Sequence, residues 1–174
     1  MERLTLYYPV IPYIVNRPWG VADVAYQEFG FFRHNGVDLA LSTGQPIFAP
    51  FDCRVTKIGN EPKGSGLYIC LLSRGTHGFD DGKASRVEIT LMHLSTVSVI
   101  VGATLSVGDL VALGGHTGRT SGSHVHMAPK RVRMNFLGGY RDRDRNDANN
   151  TFNPEPYWNG LPAKRRMPQQ EDSP

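Results

Sequence analysis

The sequence predicts a mostly β fold with little helix, and three observations carry that prediction. Apolar residues come in short runs rich in Val, Ile, Leu and Phe, and none repeats convincingly at the helical period. Glycine (19) and proline (12) are abundant in the 174 residues and fall between those runs, where turns are needed. A Gly-, Ser- and Thr-rich stretch, Gly114 to Ser123, leads into His124-Val125-His126, whose alternation of polar and apolar side chains is that of a half-buried strand.

Taken in order, residues 1–33 are aromatic and punctuated by Pro9, Pro12 and Pro18, which predicts an extended segment laid across a sheet with edge or loop character. Residues 37–41 and 46–58 read as strands. The turn cluster from Gly59-Asn60 to Gly64-Ser65-Gly66 and the apolar run 67–72 then complete a hairpin. Residues 73–86 are polar and Gly-rich and predict a long loop between strands. Strands follow at 87–94, 97–102 and 110–114, the last two separated by the turn Ser106-Val107-Gly108-Asp109. Residues 130–150 are charged and Asn-rich and predict a solvated loop, and Phe152 to Trp158 a short terminal cap. The expectation is one domain over residues 1–160, with 1–30 as an extended segment packed on it and 161–174 as a disordered tail.

A net charge of +3 and a pI near 9.0 suit an anionic polymer such as a cell wall or nucleic acid without choosing between them. Arg131, Arg133, Arg141, Arg143 and Arg145 are interleaved with Asp142 and Asp144, which cancel much of their charge, so nucleic acid is not expected as a partner. No apolar run approaches the roughly 18 residues of a membrane span, so no membrane insertion is expected. The N-terminus lacks a long apolar stretch and a small-residue cleavage site, which predicts synthesis in the cytoplasm without a signal peptide. The two cysteines, Cys53 and Cys70, fall on neighbouring strands where a bridge is conceivable, and free half-buried thiols are the expectation.

Six histidines remain, and their spacing is informative. On a strand, His124 and His126 share a face with Cα atoms about 6.5 Å apart, so both imidazoles can converge on one ion. Spacing alone does not say which of the two would ligate. His34 and Asp38 would stand about 13 Å apart on a straight strand, too far for one ion, but Asn35-Gly36 between them supplies a bend. His93 ends an apolar strand, while His77 and His116 sit in loops and are expected to be solvated. Each feature alone has an ordinary structural explanation.

The set in order is more specific: His34-x-x-x-Asp38, then Met92-His93-Leu94, then Gly-x-Thr-Gly-x-x-x-Gly-x-His124-x-His126. It resembles the lysostaphin/LytM-type zinc endopeptidases, which cut peptide bonds in bacterial peptidoglycan. The resemblance runs from about Phe31 to Met127. It includes Asn35-Gly36-Val37-Asp38-Leu39-Ala40, Gly44-Gln45-Pro46-Ile47-Phe48-Ala49-Pro50 and Val107-Gly108-Asp109-Leu110-Val111, and Asn153-Pro154 resembles the family's closing element. It implies antiparallel β-sheets or a sandwich with a groove-shaped active site, and one catalytic zinc ion held by His34, Asp38 and His126. His93 and His124 would be the catalytic histidines, standing beside the attacking water rather than on the metal. The expected partners are peptidoglycan peptides, and a chain made without an export signal would reach the wall through a pore-forming lysis partner, cell lysis or a virion, as a phage lysis or virion-associated enzyme does. The alternative is a non-catalytic wall-binding or structural module on the same fold. Three positions depart from the family pattern: Met127-Ala128 replaces a usual Phe-Glu, Met92 a common Tyr, and Asp52-Cys53 a turn often held by Gly.

Overall fold

The computed structural model describes residues 1–22, 24, 27, 33–134, 140–142 and 151–163. Twelve strands are found there: β1 (Val15–Arg17), β2 (Val37–Ala40), β3 (Pro46–Phe48), β4 (Cys53–Glu61), β5 (Gly66–Ser73), β6 (His77–Gly78), β7 (Ala84–Leu94), β8 (Thr96–Val97), β9 (Thr104–Leu105), β10 (Leu110–Leu113), β11 (His124–Met134) and β12 (Tyr140–Asp142). One 3-10 turn (Glu155–Tyr157) follows them. The large sheet runs β1-β2-β11-β7-β5-β4-β9, with β6 beside β7 and β12 beside β11, and the small one runs β3-β10-β8. All pairings between these strands are antiparallel, as the resemblance implies.

Period-2 alternation sorts the side chains of the large sheet. Val37 and Leu39 of β2, Val125 and Met127 of β11, Val87, Ile89 and Leu91 of β7, and Ile69 and Leu71 of β5 all point into one core. That core is closed from the other side by Ile47 of β3, Val111 and Ala112 of β10, and Leu4, Leu6 and Val10 of the N-terminal segment. Each fully buried aliphatic side chain contributes about 1.5–3 kcal/mol. The outer face of the same strands carries Asp38, His124, His126, Thr90 and Met92.

The described part of the N-terminal segment forms one short strand, β1, with bends at residues 9–12 and a turn at 19–20. It bonds along the small sheet (Tyr7 N–H to Pro50 O, 2.8 Å; Phe48 N–H to Pro9 O, 2.8 Å) and then pairs as β1 with the edge of β2. At the other end, Tyr157 is buried against Phe79 and Phe152, whose rings stand edge to face at 5.3 Å, and this forms the expected cap.

The structure corrects several boundaries. Residues 46–58 are two strands in two sheets, broken by a bend at 50–52. Residues 73–86 are not one long loop: β6 pairs with the start of β7, and Arg3 and Arg131 clamp the tip through Asp80 and Asp81. The first residues of the supposed basic loop continue β11 to Met134, and 140–142 return as β12. A strand that long in a charged stretch is stabilised by Arg131, which lies over the Phe79 ring at 4.0 Å while pairing with Asp81. Residues 98–101, read as strand, lie between β8 and β9. Cys53 and Cys70 are both free and buried. The expected disordered tail falls, from residue 164 onward, outside the described residues, as do Arg143 and Arg145.

Candidate metal centre

Four stretches deliver the histidine set to one end of the outer face. Alternation along β11 puts His124 and His126 on that face, and the β2 register sets Asp38 directly opposite His126. His34 comes from the segment before β2, and the chain bends at Gly36 to bring it back, as Asn35-Gly36 suggests. The glycine serves a close approach: a Cβ there would lie 2.4 Å from Met127 O and 2.7 Å from His126 Nε2.

His93 arrives by a different device. Strict alternation would aim it into the core behind Leu91. The β5–β7 ladder instead slips by a residue between Leu67↔Leu94 and Ile69↔Leu91, and His93 takes a left-handed conformation with φ of 64°. Its ring then lies 4.9 Å from that of His124, while Leu94 returns to the core. A non-glycine residue held at positive φ stores backbone strain of the kind found at functional sites.

Three atoms meet at the centre of the cluster. His34 Nε2 is 3.2 Å from Asp38 Oδ1, His126 Nδ1 is 2.9 Å from the same oxygen, and the two nitrogens are 3.1 Å apart. Tetrahedral ligands about 2.0–2.1 Å from one ion stand roughly 3.3 Å from each other, so the donor set fits one metal ion with little adjustment. The proton count agrees. His34 Nδ1 faces Pro18 O at 2.9 Å, and a carbonyl only accepts, so Nδ1 carries the hydrogen and Nε2 presents a lone pair to the carboxylate. Two electron-rich atoms at that distance need a cation or a proton between them. All three residues are buried, with His34 at 0%, His126 at 4% and Asp38 at 8% exposure.

The other two histidines stand beside this cluster. His124 Nδ1–H is taken by Gly122 O at 2.9 Å, and its Nε2 is 3.7 Å from Asp38 Oδ1. His93 Nδ1–H donates to Thr117 O at 2.9 Å. Both therefore keep Nε2 as the unprotonated nitrogen when neutral. His116 is exposed and bonds locally to Thr120 O, and half-buried His77 is in β6, so neither joins the cluster.

The model of peptidase family M23 matches residues 32–136, which takes in every member of this cluster. The chain belongs to peptidase family M23. Among curated relatives it is 37% identical over 93 residues to an uncharacterised metalloprotease of Haemophilus influenzae and 31% identical over 93 residues to the peptidoglycan DD-endopeptidase ShyA of Vibrio cholerae. Those alignments cover 53% of this chain but only 18% and 19% of the two relatives, so the chain spans a small part of each. It is also 26% identical over 114 residues to morphogenesis protein 1 of Bacillus phage B103, covering 63% of this chain and 30% of that one. The lysostaphin catalytic domain of Staphylococcus simulans has the same fold, with a TM-score of 0.60 at 22% identity, over 83% of this chain and 91% of that one.

Electrostatics in the M23 cluster follow from burial and contact. Burial alone would raise the Asp38 carboxyl, but the bonds and charge of His126 and His34 outweigh it and hold it well below the usual carboxylate range. Burial lowers His126 and pushes His93 down to about 4, so His93 is neutral at pH 7. Two contributors were not singled out in the sequence. The Pro18 carbonyl lies outside any motif, and no side-chain signal could have found it. Thr117 is legible only as the Thr of Gly-x-Thr-Gly. Its hydroxyl donates to Leu94 O at 2.7 Å and accepts from Leu67 N–H at 2.9 Å, which pins the loop whose carbonyl holds His93. At the position of the family's usual Glu, Ala128 is buried opposite Thr90, so this chain has no carboxylate there.

Proposed function

We propose that this chain is a zinc-dependent endopeptidase that hydrolyses peptide bonds of bacterial peptidoglycan, in stem peptides or cross-links, with residues 1–160 acting as one catalytic unit. His34 through Nε2, Asp38 through a carboxylate oxygen and His126 through Nδ1 would hold one zinc ion, and His93 and His124 would move the protons. A single observation carries the reading: two imidazole nitrogens and a carboxylate oxygen within 3.2 Å of one another, beside two further histidines whose Nδ1 atoms are already committed.

When bound, zinc supplies Lewis acidity, which brings the pKa of water down to about 7 and polarises a carbonyl. The chain's own groups do the rest. Neutral His93 or His124 accepts the proton of the attacking water at Nε2, each imidazole being kept in the accepting tautomer by its backbone carbonyl. That imidazolium then hydrogen-bonds through its Nε2–H to the oxyanion of the tetrahedral intermediate and delivers the same single proton to the departing amine as the oxyanion collapses to the carboxyl product. Asp38 stays ionised throughout, which keeps one negative charge in a pocket that would otherwise hold only neutral ligands.

The phage relationship supports a narrower reading, a lysis or virion-associated wall enzyme that gains access through a pore-forming partner, lysis or a particle. Finding the chain exported by its host during ordinary growth would sink that narrower reading. The convergence of His34, Asp38 and His126, with His93 and His124 beside them, supports the catalytic reading over the non-catalytic alternative. Purified sacculi incubated with the protein and zinc should release peptide fragments identifiable by mass spectrometry, and His126→Ala should release none. No release by the unaltered chain defeats the enzyme reading. Normal release by His126→Ala defeats the ligand assignment.

A further inference from the structure

The family match begins at residue 32, yet His34 depends on a segment upstream of it. Its N–H donates to Val21 O at 2.8 Å, its carbonyl accepts the Gly20 N–H at 2.9 Å, and its ring Nδ1–H donates to Pro18 O at 2.9 Å. The backbone and the ring of one residue are thus both held by a four-residue stretch. That stretch is itself fixed: β1 leads into it along the edge of β2, and the Trp19 indole packs on the core and donates to Thr151 Oγ1 at 3.0 Å.

We propose that Pro18–Val21 is a positioning element of the metal centre, orienting His34 through the Pro18 carbonyl and thereby setting the affinity of the cluster for zinc. The inference rests on His34 being a ligand. Its physical basis is the tautomer. A carbonyl bound at Nδ1 keeps the lone pair on Nε2 and stops the ring turning, and partners of this kind are worth about 10–100-fold in metal affinity. Proline suits the place because it has no N–H to seek another partner and its ring narrows the backbone conformations open to the residue that presents the carbonyl. The cluster is therefore completed by residues outside the segment that matches the family.

Two glycines make a matched test in the full chain. Gly20 (φ 81°) and Gly82 (φ 73°) both adopt left-handed backbone, and a Cβ at either meets nothing within 4 Å. Valine at either position thus incurs a similar backbone penalty, but only Gly20 is bonded to His34. Zinc affinity is measured on metal-free protein by competition with a chromophoric chelator, and the His34 tautomer by long-range proton–nitrogen NMR. Gly20→Val should weaken zinc binding about 10–100-fold and mix the His34 tautomers, whereas Gly82→Val should lose a similar amount of Tm and bind zinc as the unaltered chain does. If Gly20→Val does not fold, Pro18→Gly, at an exposed ring, should weaken zinc binding and mix the tautomers in the same sense. Unchanged affinity and an unmixed tautomer in the folded variant overturn the proposal alone. An unaltered chain that binds no zinc overturns the metal reading of the site as well.

Discussion

The two faces of the large sheet are made by alternate residues of the same strands, yet they are built by different rules. On the inner face, Val125, Met127, Ile89 and Leu91 need only be apolar and of the right volume, and regular alternation places them. On the outer face regularity is not enough. Asp38, His124 and His126 follow the pleat, but His34 needs the bend at Gly36, and His93 needs a slipped ladder and a strained φ. The core is held by pattern; the site is held by departures from it.

Substitutions that separate the faces test this contrast. The largest effect should come from His124→Gln, expected to lower turnover about 10²–10⁴-fold while leaving urea stability and zinc content nearly unchanged. A large loss of stability would mean that the outer face is structural after all. Leu91→Ala, one ladder step from the site on the opposite face, should cost about 2–5 kcal/mol in urea unfolding and leave the turnover of the remaining folded protein close to normal. Gly36→Ala joins the two: its Cβ would press on Met127 O and the His126 ring, so about 1–3 kcal/mol of stability and part of the zinc affinity should be lost together.

Acid should produce the mildest effect. His93 has a folded pKa of about 4 against an ordinary 6.5, so between those values the unfolded chain binds a proton that the folded chain refuses. The stability contribution is complete above pH 6.5 and falls as pH drops toward 4. Buried His126 acts in the same sense, and Asp38, held low, adds its own loss only below the usual carboxylate value. The urea midpoint of chelator-treated protein should therefore fall between pH 7 and 4.5, and by less in His93→Gln. An identical fall in that variant would remove His93 from the account.

Much of this arrangement is legible in the sequence, and the illegible parts share a cause. Alternation in His124-Val125-His126 and the glycine beside His34 give the strand face and the bend, because both depend on local chain geometry. The place of His93 is hidden because parity along β7 assigns it to the core, and the slip that frees it is set by its pairing with β5. The split of residues 46–58 between sheets and the strand at the start of the basic stretch are decided by partners far along the chain, β10 for one and β7 with Phe79 for the other. Pro18 contributes only a backbone atom, on which side-chain chemistry is silent. The spacing of His124 and His126 likewise does not show that His126 Nδ1 comes to 2.9 Å from Asp38 Oδ1 while His124 Nε2 stays at 3.7 Å.

Pro129, in the middle of β11, gives the strand a directional lock. Its carbonyl turns away from β7 to accept the Phe152 N–H at 3.1 Å, and its hydrogen-less nitrogen faces the same way, so the ladder to Ile89 loses nothing. A slip of β11 by one residue would turn that nitrogen toward β7 and forfeit a bond there. The same slip would drive His124 and His126 into the apolar core and bring Val125 and Met127 out. A residue that performs no chemistry thus makes the wrong alignment of the histidines costly twice over, while the chain is still choosing how its strands pair.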